Sequence, residues 1–123
     1  MSNHAIVHVE IPAQDLDAAG KFYSELFGWA IQPMPDFEYA TFDAPGGPGG
    51  GFPKVDGQMY KPGDVVVYVS TDDIEATLAK AESLGARTLV PRSEVPGFGW
   101  FAMFSDPSGN RMALWTAGPN GPR

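Results

Sequence analysis

A strand–turn–helix segment occurs twice in this chain, and the repeat constrains the fold more than any other feature. The first copy covers residues 6–29, and a weaker second copy covers residues 65–86. In the first copy, apolar residues alternate with His8 and Glu10, which is the period of a half-buried strand. In each copy an aspartate suited to cap a helix precedes apolar residues at helical spacing, and a glycine ends the pattern. The sequence therefore predicts two modules built on one plan.

Three further strands are predicted after each helix. They cover residues 29–31, 38–42 and a Gly/Pro-rich segment in the first half, and residues 87–90, 99–104 and 111–116 in the second. The predicted fold class is α+β, with two tandem βαβββ modules at about residues 5–54 and 64–117 of a single domain that covers residues 1–123. Two interpretations of Ala44–Pro53 stay open: a flexible lid, or a loop that runs into a short, irregular edge strand.

Composition excludes several classes of function. The chain has 123 residues, of which 43% are hydrophobic, as expected for a globular domain. Its net charge of −7 offers no basic surface for nucleic acid or for an anionic membrane. It has no cysteine, so disulfides and thiolate chemistry are excluded. The first residues lack a signal-peptide pattern and no apolar run could span a membrane, so a cytoplasmic location is predicted.

Three segments carry a resemblance to a known family: HVEIPAQDLDAAGKFYSELFGW, VSTDDIEATLAKAESLGA and FSDPSGNRMALW. They resemble the vicinal oxygen chelate superfamily, which includes glyoxalases, bleomycin-resistance proteins and extradiol dioxygenases. The resemblance implies a curved mixed sheet around a ligand cavity, and a homodimer. It also implies a divalent metal on the concave face, held by His or Glu side chains of the first, fourth, fifth and eighth strands.

Only one of those four metal positions keeps a ligand in this sequence. The first-strand position is His8, and aligning Asp15 with Asp73 places Val66 at the fifth-strand position. The eighth-strand position is Ala113, which corresponds to Gly51 in the fourth strand. Since catalytic metal sites need about three protein ligands, no metal cofactor is predicted, and His8 is the only retained candidate ligand.

Strand alternation predicts which side chains line the concave face. If the alternate valines, Met112 and Leu114 pack on the helices, the opposite face carries the candidate ligand-binding residues. These are His8, Glu10, Tyr68, Ser70, Arg111 and Trp115. Some of these residues could instead have a purely structural role. His8 could be a core histidine bonded to Glu10 or Tyr68, Glu10 could pair with Arg111, and Trp115 could fill the core or a dimer interface.

Two classes of function follow. The first is a metal-free module that holds a small organic molecule in the cavity of a homodimer, as in the bleomycin-resistance branch. The second is an enzyme: a metal-dependent lyase, isomerase or dioxygenase using His8, or a metal-free acid–base catalyst using His8 and Glu10. The sequence identifies neither a substrate nor catalytic residues.

Overall fold

The computed structural model describes residues 4–119 and divides into two compact units. The first unit is His8–Val66, and the second consists of residues 4–7 together with residues 67–119. Within residues 4–119, no helix is long and apolar enough to cross a membrane.

The first unit contains one helix and a four-stranded sheet. Its elements are β1 (Ile6–Glu10, of which residues 8–10 lie in this unit), α1 (Leu16–Phe27), β2 (Ala30–Met34), a short 3-10 helix (Pro35–Phe37), β3 (Tyr39–Asp43) and β4 (Gly50–Pro53). The strand order is β2-β3-β4-β1, in which β4 pairs antiparallel with β3 and parallel with β1.

The second unit repeats this plan. Its elements are β5 (Val66–Ser70, of which residues 67–70 lie in this unit), α2 (Ile74–Ser83), β6 (Arg87–Val95), β7 (Gly99–Ser105) and β8 (Arg111–Ala117). The strand order β5-β8-β7-β6 and the parallel pairing of β5 with β8 match those of the first unit. The predicted α+β class with two βαβββ modules is confirmed.

The predicted helix caps are also confirmed. The carboxylate of Asp15 accepts the amide of Ala18 at 3.1 Å, and that of Asp73 accepts the amide of Ala76 at 3.0 Å. Each bond satisfies an amide that has no partner within the first helical turn. α1 ends at Gly28 with φ of 76°, a left-handed conformation that glycine adopts without strain.

Each helix covers one face of its own sheet with an apolar core. In the first unit, Phe42 and Phe52 are buried beneath α1, where Tyr23 lies parallel to the ring of Trp29 at 5.3 Å between centroids. In the second unit, Ile74 and Leu78 of α2 pack with Leu114. Since side chains alternate along a strand, the residues next to Phe42, Phe52 and Leu114 in their strands point to the other face.

The Gly/Pro-rich segment is a loop that runs into a short strand, as one of the two interpretations predicted, but this strand is not at an edge. Its last four residues form β4, which is fully buried and lies between β3 and β1. A Cβ at Gly50 would overlap with the carbonyl oxygen of Val9 and the ring of Phe42. Glycine therefore allows neighbouring backbone and side-chain atoms to approach β4 closely.

Two strands are longer than the sequence predicts, and both contain proline. Pro33 lies in β2, beyond the strand predicted at residues 29–31, and Pro91 lies in β6, beyond the strand predicted at residues 87–90. Within their units, β2 and β6 are the outer strands, so a missing amide hydrogen need not break a ladder. β6 also contains register shifts between Thr88 and Ser93, which accommodate the irregular backbone.

Candidate functional site

Two of the predicted site residues lie on the same face of β1. His8 and Glu10 alternate with Val9, while Ile11, just beyond the strand, packs into the core beneath α1. Glu10 is only 5% exposed and His8 is half-buried. A buried carboxylate needs hydrogen-bond partners to offset the loss of hydration.

Tyr39 of β3 connects these two side chains. Its hydroxyl lies 2.7 Å from Nε2 of His8 and donates to Oε2 of Glu10 at 2.9 Å. Because the single hydroxyl proton is directed to Glu10, the hydroxyl must accept from His8, so Nε2 of His8 carries a proton. His8, Tyr39 and Glu10 are called the polar triad below.

The surroundings of the polar triad set its protonation. Burial lowers the pKa of His8 to about 4, so the imidazole is neutral at neutral pH. Burial, and then the negative charge and hydrogen bond of Glu10, raise the pKa of Tyr39 well above its usual value. The phenol therefore remains a neutral hydrogen-bond donor: His8 donates to the hydroxyl of Tyr39, and that hydroxyl donates to the carboxylate of Glu10.

Gly51 of β4 makes room for Tyr39. A Cβ at Gly51 would overlap with the hydroxyl oxygen and two ring carbons of Tyr39. The tyrosine ring thus lies over the glycine, although the two residues are not direct partners in the ladder: Gly51 is opposite Thr41, and Tyr39 is opposite Pro53. Diagonal contacts of this length are within reach of an aromatic side chain.

The side chains at the four metal positions do not fit a metal. In the first unit Glu10 is opposite Gly51, and in the second Tyr68 is opposite Ala113, which confirms that Gly51 and Ala113 are equivalent. Glycine and alanine supply no ligand atom, nor does Val66 at the fifth-strand position. Among residues 4–119, no group of three or more His, Asp or Glu side chains is placed to hold a metal ion.

The remaining four predicted site residues lie in the second unit. Tyr68 and Trp115 are buried, with ring centroids 6.5 Å apart and an edge-on angle of 72°. Ser70 is the ladder partner of Trp115, and both Ser70 and Arg111 are half-buried. Within each unit, therefore, the structure brings together His8 with Glu10, and Tyr68 with Trp115 and Ser70.

An open cleft of about 450 Å³ lies between α1 and the strands β2 and β3 of the first unit, and Tyr39 is among its lining residues. Its charged lining residues, Asp17 and Lys21, are exposed side chains of α1. Small-molecule sites usually combine apolar walls with a few convergent polar groups, and exposed helix side chains do not provide these. The polar triad is the better candidate site.

Comparisons with known proteins agree with this architecture. The family model described as the glyoxalase-like domain matches residues 7–115. A glyoxylase-like domain-containing protein of Didymella fabae is 34% identical, over 88% of this chain and 90% of that protein. The anthracycline biosynthesis protein DnrV of Streptomyces peucetius is 28% identical over 89% of this chain, and the chain spans only 46% of DnrV.

A solved structure shows the same fold at low identity. The Mn(II)-bound glyoxalase of Novosphingobium aromaticivorans has a TM-score of 0.67 and 18% identity, over 98% of this chain and 42% of that chain.

Proposed function

Because the chain belongs to the glyoxalase-like domain family, we propose that it binds a small organic molecule without a metal, against the face that carries the polar triad. The observation that supports this most is the triad itself. Three polar side chains converge within hydrogen-bond distance on the face opposite the core beneath α1. Convergent polar groups beside apolar surface are characteristic of small-molecule sites.

The protonation of the triad favours binding over acid–base catalysis. A catalytic acid or base works best when its pKa lies near the working pH. The pKa of His8 is lowered to about 4 and that of Tyr39 is raised, so neither exchanges protons readily at neutral pH. The alternative, a metal-dependent lyase, isomerase or dioxygenase using His8, has no support from the side chains at Gly51, Val66 and Ala113.

The second unit carries its own set of proposed ligand contacts. Tyr68 and Trp115 offer aromatic surface, and Ser70 and Arg111 offer hydrogen-bond donors. We retain all four as proposed ligand contacts, each of which can be tested separately. The homodimer and the cytoplasmic location also stay proposals.

A ligand screen followed by calorimetry tests the proposed site. Compounds that raise the melting temperature are selected, and their dissociation constants are measured for the natural protein, Tyr39→Phe and His8→Ala. We expect each variant to bind about tenfold more weakly or worse, because one hydrogen bond is lost. Unchanged affinity in both variants would refute the site.

Ile11→Ala serves as the matched control. Ile11 follows Glu10 directly in the chain but packs into the core beneath α1. Its truncation should lower the melting temperature and leave ligand affinity unchanged, because it does not reach the face of the triad. If Ile11→Ala weakened binding as much as Tyr39→Phe, the loss would reflect general destabilisation rather than a missing ligand contact.

A further inference from the structure

Tyr39 and Gly51 form a matched pair within the first unit. The tyrosine ring fills the volume that any side chain at Gly51 would need, since even a Cβ would overlap with the ring. Gly51 is the position at which a metal-binding relative would carry its fourth-strand ligand. The ring of Tyr39 and a metal-binding side chain at position 51 therefore cannot occupy this volume at the same time.

The end of the same ring lies where a metal would have to lie. The hydroxyl oxygen is within 2.9 Å of both Nε2 of His8 and Oε2 of Glu10. These are hydrogen-bond lengths, whereas bonds from zinc to nitrogen or oxygen are about 2.0–2.2 Å. A cation between His8 and Glu10 would have to displace the hydroxyl and break both bonds.

We infer that Tyr39 occupies the space of both a metal ion and its fourth-strand ligand. The Tyr39–Gly51 pair therefore gives this face of the first unit a surface of hydrogen-bonded side chains, from which divalent cations are excluded. The inference goes beyond the proposed function. It concerns how a cation is excluded, and it stands whether or not an organic ligand is found.

The geometry also indicates which substitutions would restore a cation site. Gly51 is the ladder partner of Glu10 across the parallel β1–β4 pair, so a side chain at position 51 would point to the face of Glu10 and His8. Gly51→Glu with Tyr39→Ala would add a carboxylate in the volume vacated by the ring. One imidazole and two carboxylates make the three protein ligands that a site for zinc or cobalt needs.

A double-mutant cycle tests the pairing of ring and glycine. Gly51→Ala should lower the melting temperature by roughly 5 °C or more in the natural protein, because the added methyl group overlaps with the ring. In a Tyr39→Ala background the same substitution should have little effect. Equal losses in the two backgrounds would overturn the inference, because the glycine would then be required for some other reason.

Metal titration tests the exclusion of cations. Zinc and cobalt are titrated by calorimetry into the natural protein and into Tyr39→Ala/Gly51→Glu, and the visible absorption of cobalt is recorded. We expect the double variant to bind one equivalent about 100-fold more tightly than the natural protein. Adding His8→Gln should abolish the gain, and Tyr39→Phe, which keeps the ring, should show none.

Two results would overturn the inference. One is stoichiometric binding of metal by the natural protein that His8→Gln removes. The other is a folded double variant that binds no more tightly than the natural protein. If the double variant does not fold, the cycle with Gly51→Ala still decides whether ring and glycine are coupled. Neither readout depends on an organic ligand, so the proposed function can fail while this inference stands.

Discussion

His8 is kept neutral by its position rather than by its chemical type. Its side chain is half-buried, and Nε2 donates to the hydroxyl of Tyr39. Burial disfavours the imidazolium form and lowers the pKa of His8 to about 4 from 6.5. In the unfolded chain the same imidazole takes up a proton at a higher pH than in the folded protein. Lowering the pH therefore favours the unfolded state.

We predict that the contribution of His8 to stability is fully present above pH 6.5 and is lost as the pH falls to about 4. The free energy of unfolding should fall by about 3 kcal/mol over that interval because of His8 alone. Urea unfolding at several pH values measures the loss. His8→Gln keeps a donor but does not titrate, so its profile should be flatter, and identical profiles would contradict the prediction.

The residues of the polar triad differ in how far the sequence could predict them. Alternation along β1 places His8 and Glu10 on one face, and the structure agrees. Tyr39 was not singled out, because its role depends on a diagonal contact over Gly51 that strand alternation does not specify. Two features gave a weak indication of this contact. Tyr39 is next to the buried Ala40 in β3 and so lies on the opposite face, and Gly51, the equivalent of Ala113, has no side chain to fill the space there.

At the scale of elements, the sequence predicted best what local interactions determine. Both helices begin after the predicted aspartate caps, because a cap depends on residues three positions apart. A short strand within Ala44–Pro53 was one of two interpretations and was expected at a sheet edge, whereas β4 lies between β3 and β1, and the second half of β6 was missed. Glycine and proline disfavour strands locally, but pairing with neighbouring strands outweighs that preference in β4, and an outer position tolerates Pro91 in β6.

The two caps give a matched pair of predictions. Asp15→Ala and Asp73→Ala should each lower the free energy of unfolding by about 1 kcal/mol, because one amide in each helix loses its partner. Denaturant titration monitored by circular dichroism measures both. Asp17→Ala is the control: Asp17 lies in the first turn of α1 but is not the cap, so only about 0.5 kcal/mol or less is expected. A loss at Asp17 as large as that at Asp15 would refute the cap assignment.

Across the whole molecule, the two units share one fold but carry different side chains on the face opposite the helix. The first unit has the polar triad over Gly51, and the equivalent face of the second unit has Tyr68 and Trp115 beside Ala113. The repeated helices and strands maintain the cores, so the residues on the other face can change without loss of the fold. The residues of the helices and cores carry the family resemblance, whereas the residues of the other face determine the ligand. The family could therefore be predicted from the sequence, but the ligand could not.

The surface of the chain predicts association with a second copy. Phe22, Leu26 and Phe27 lie within two turns of α1, and each is more than half exposed. Clustered apolar side chains on a soluble chain commonly mark an interface. A symmetric homodimer in which α1 contributes to the interface would cover this cluster.

Light scattering on the purified protein at micromolar concentration should give about twice the chain mass of 13.2 kDa. Phe22→Glu combined with Leu26→Glu should reduce the measured mass to that of one chain, because two carboxylates cannot be buried in an apolar interface without partners. Leu84→Glu is the control, since Leu84 is 69% exposed at the end of α2 and lies outside the α1 cluster. A single-chain mass for the natural protein would refute the homodimer. A double variant that remains dimeric would show that α1 is not part of the interface.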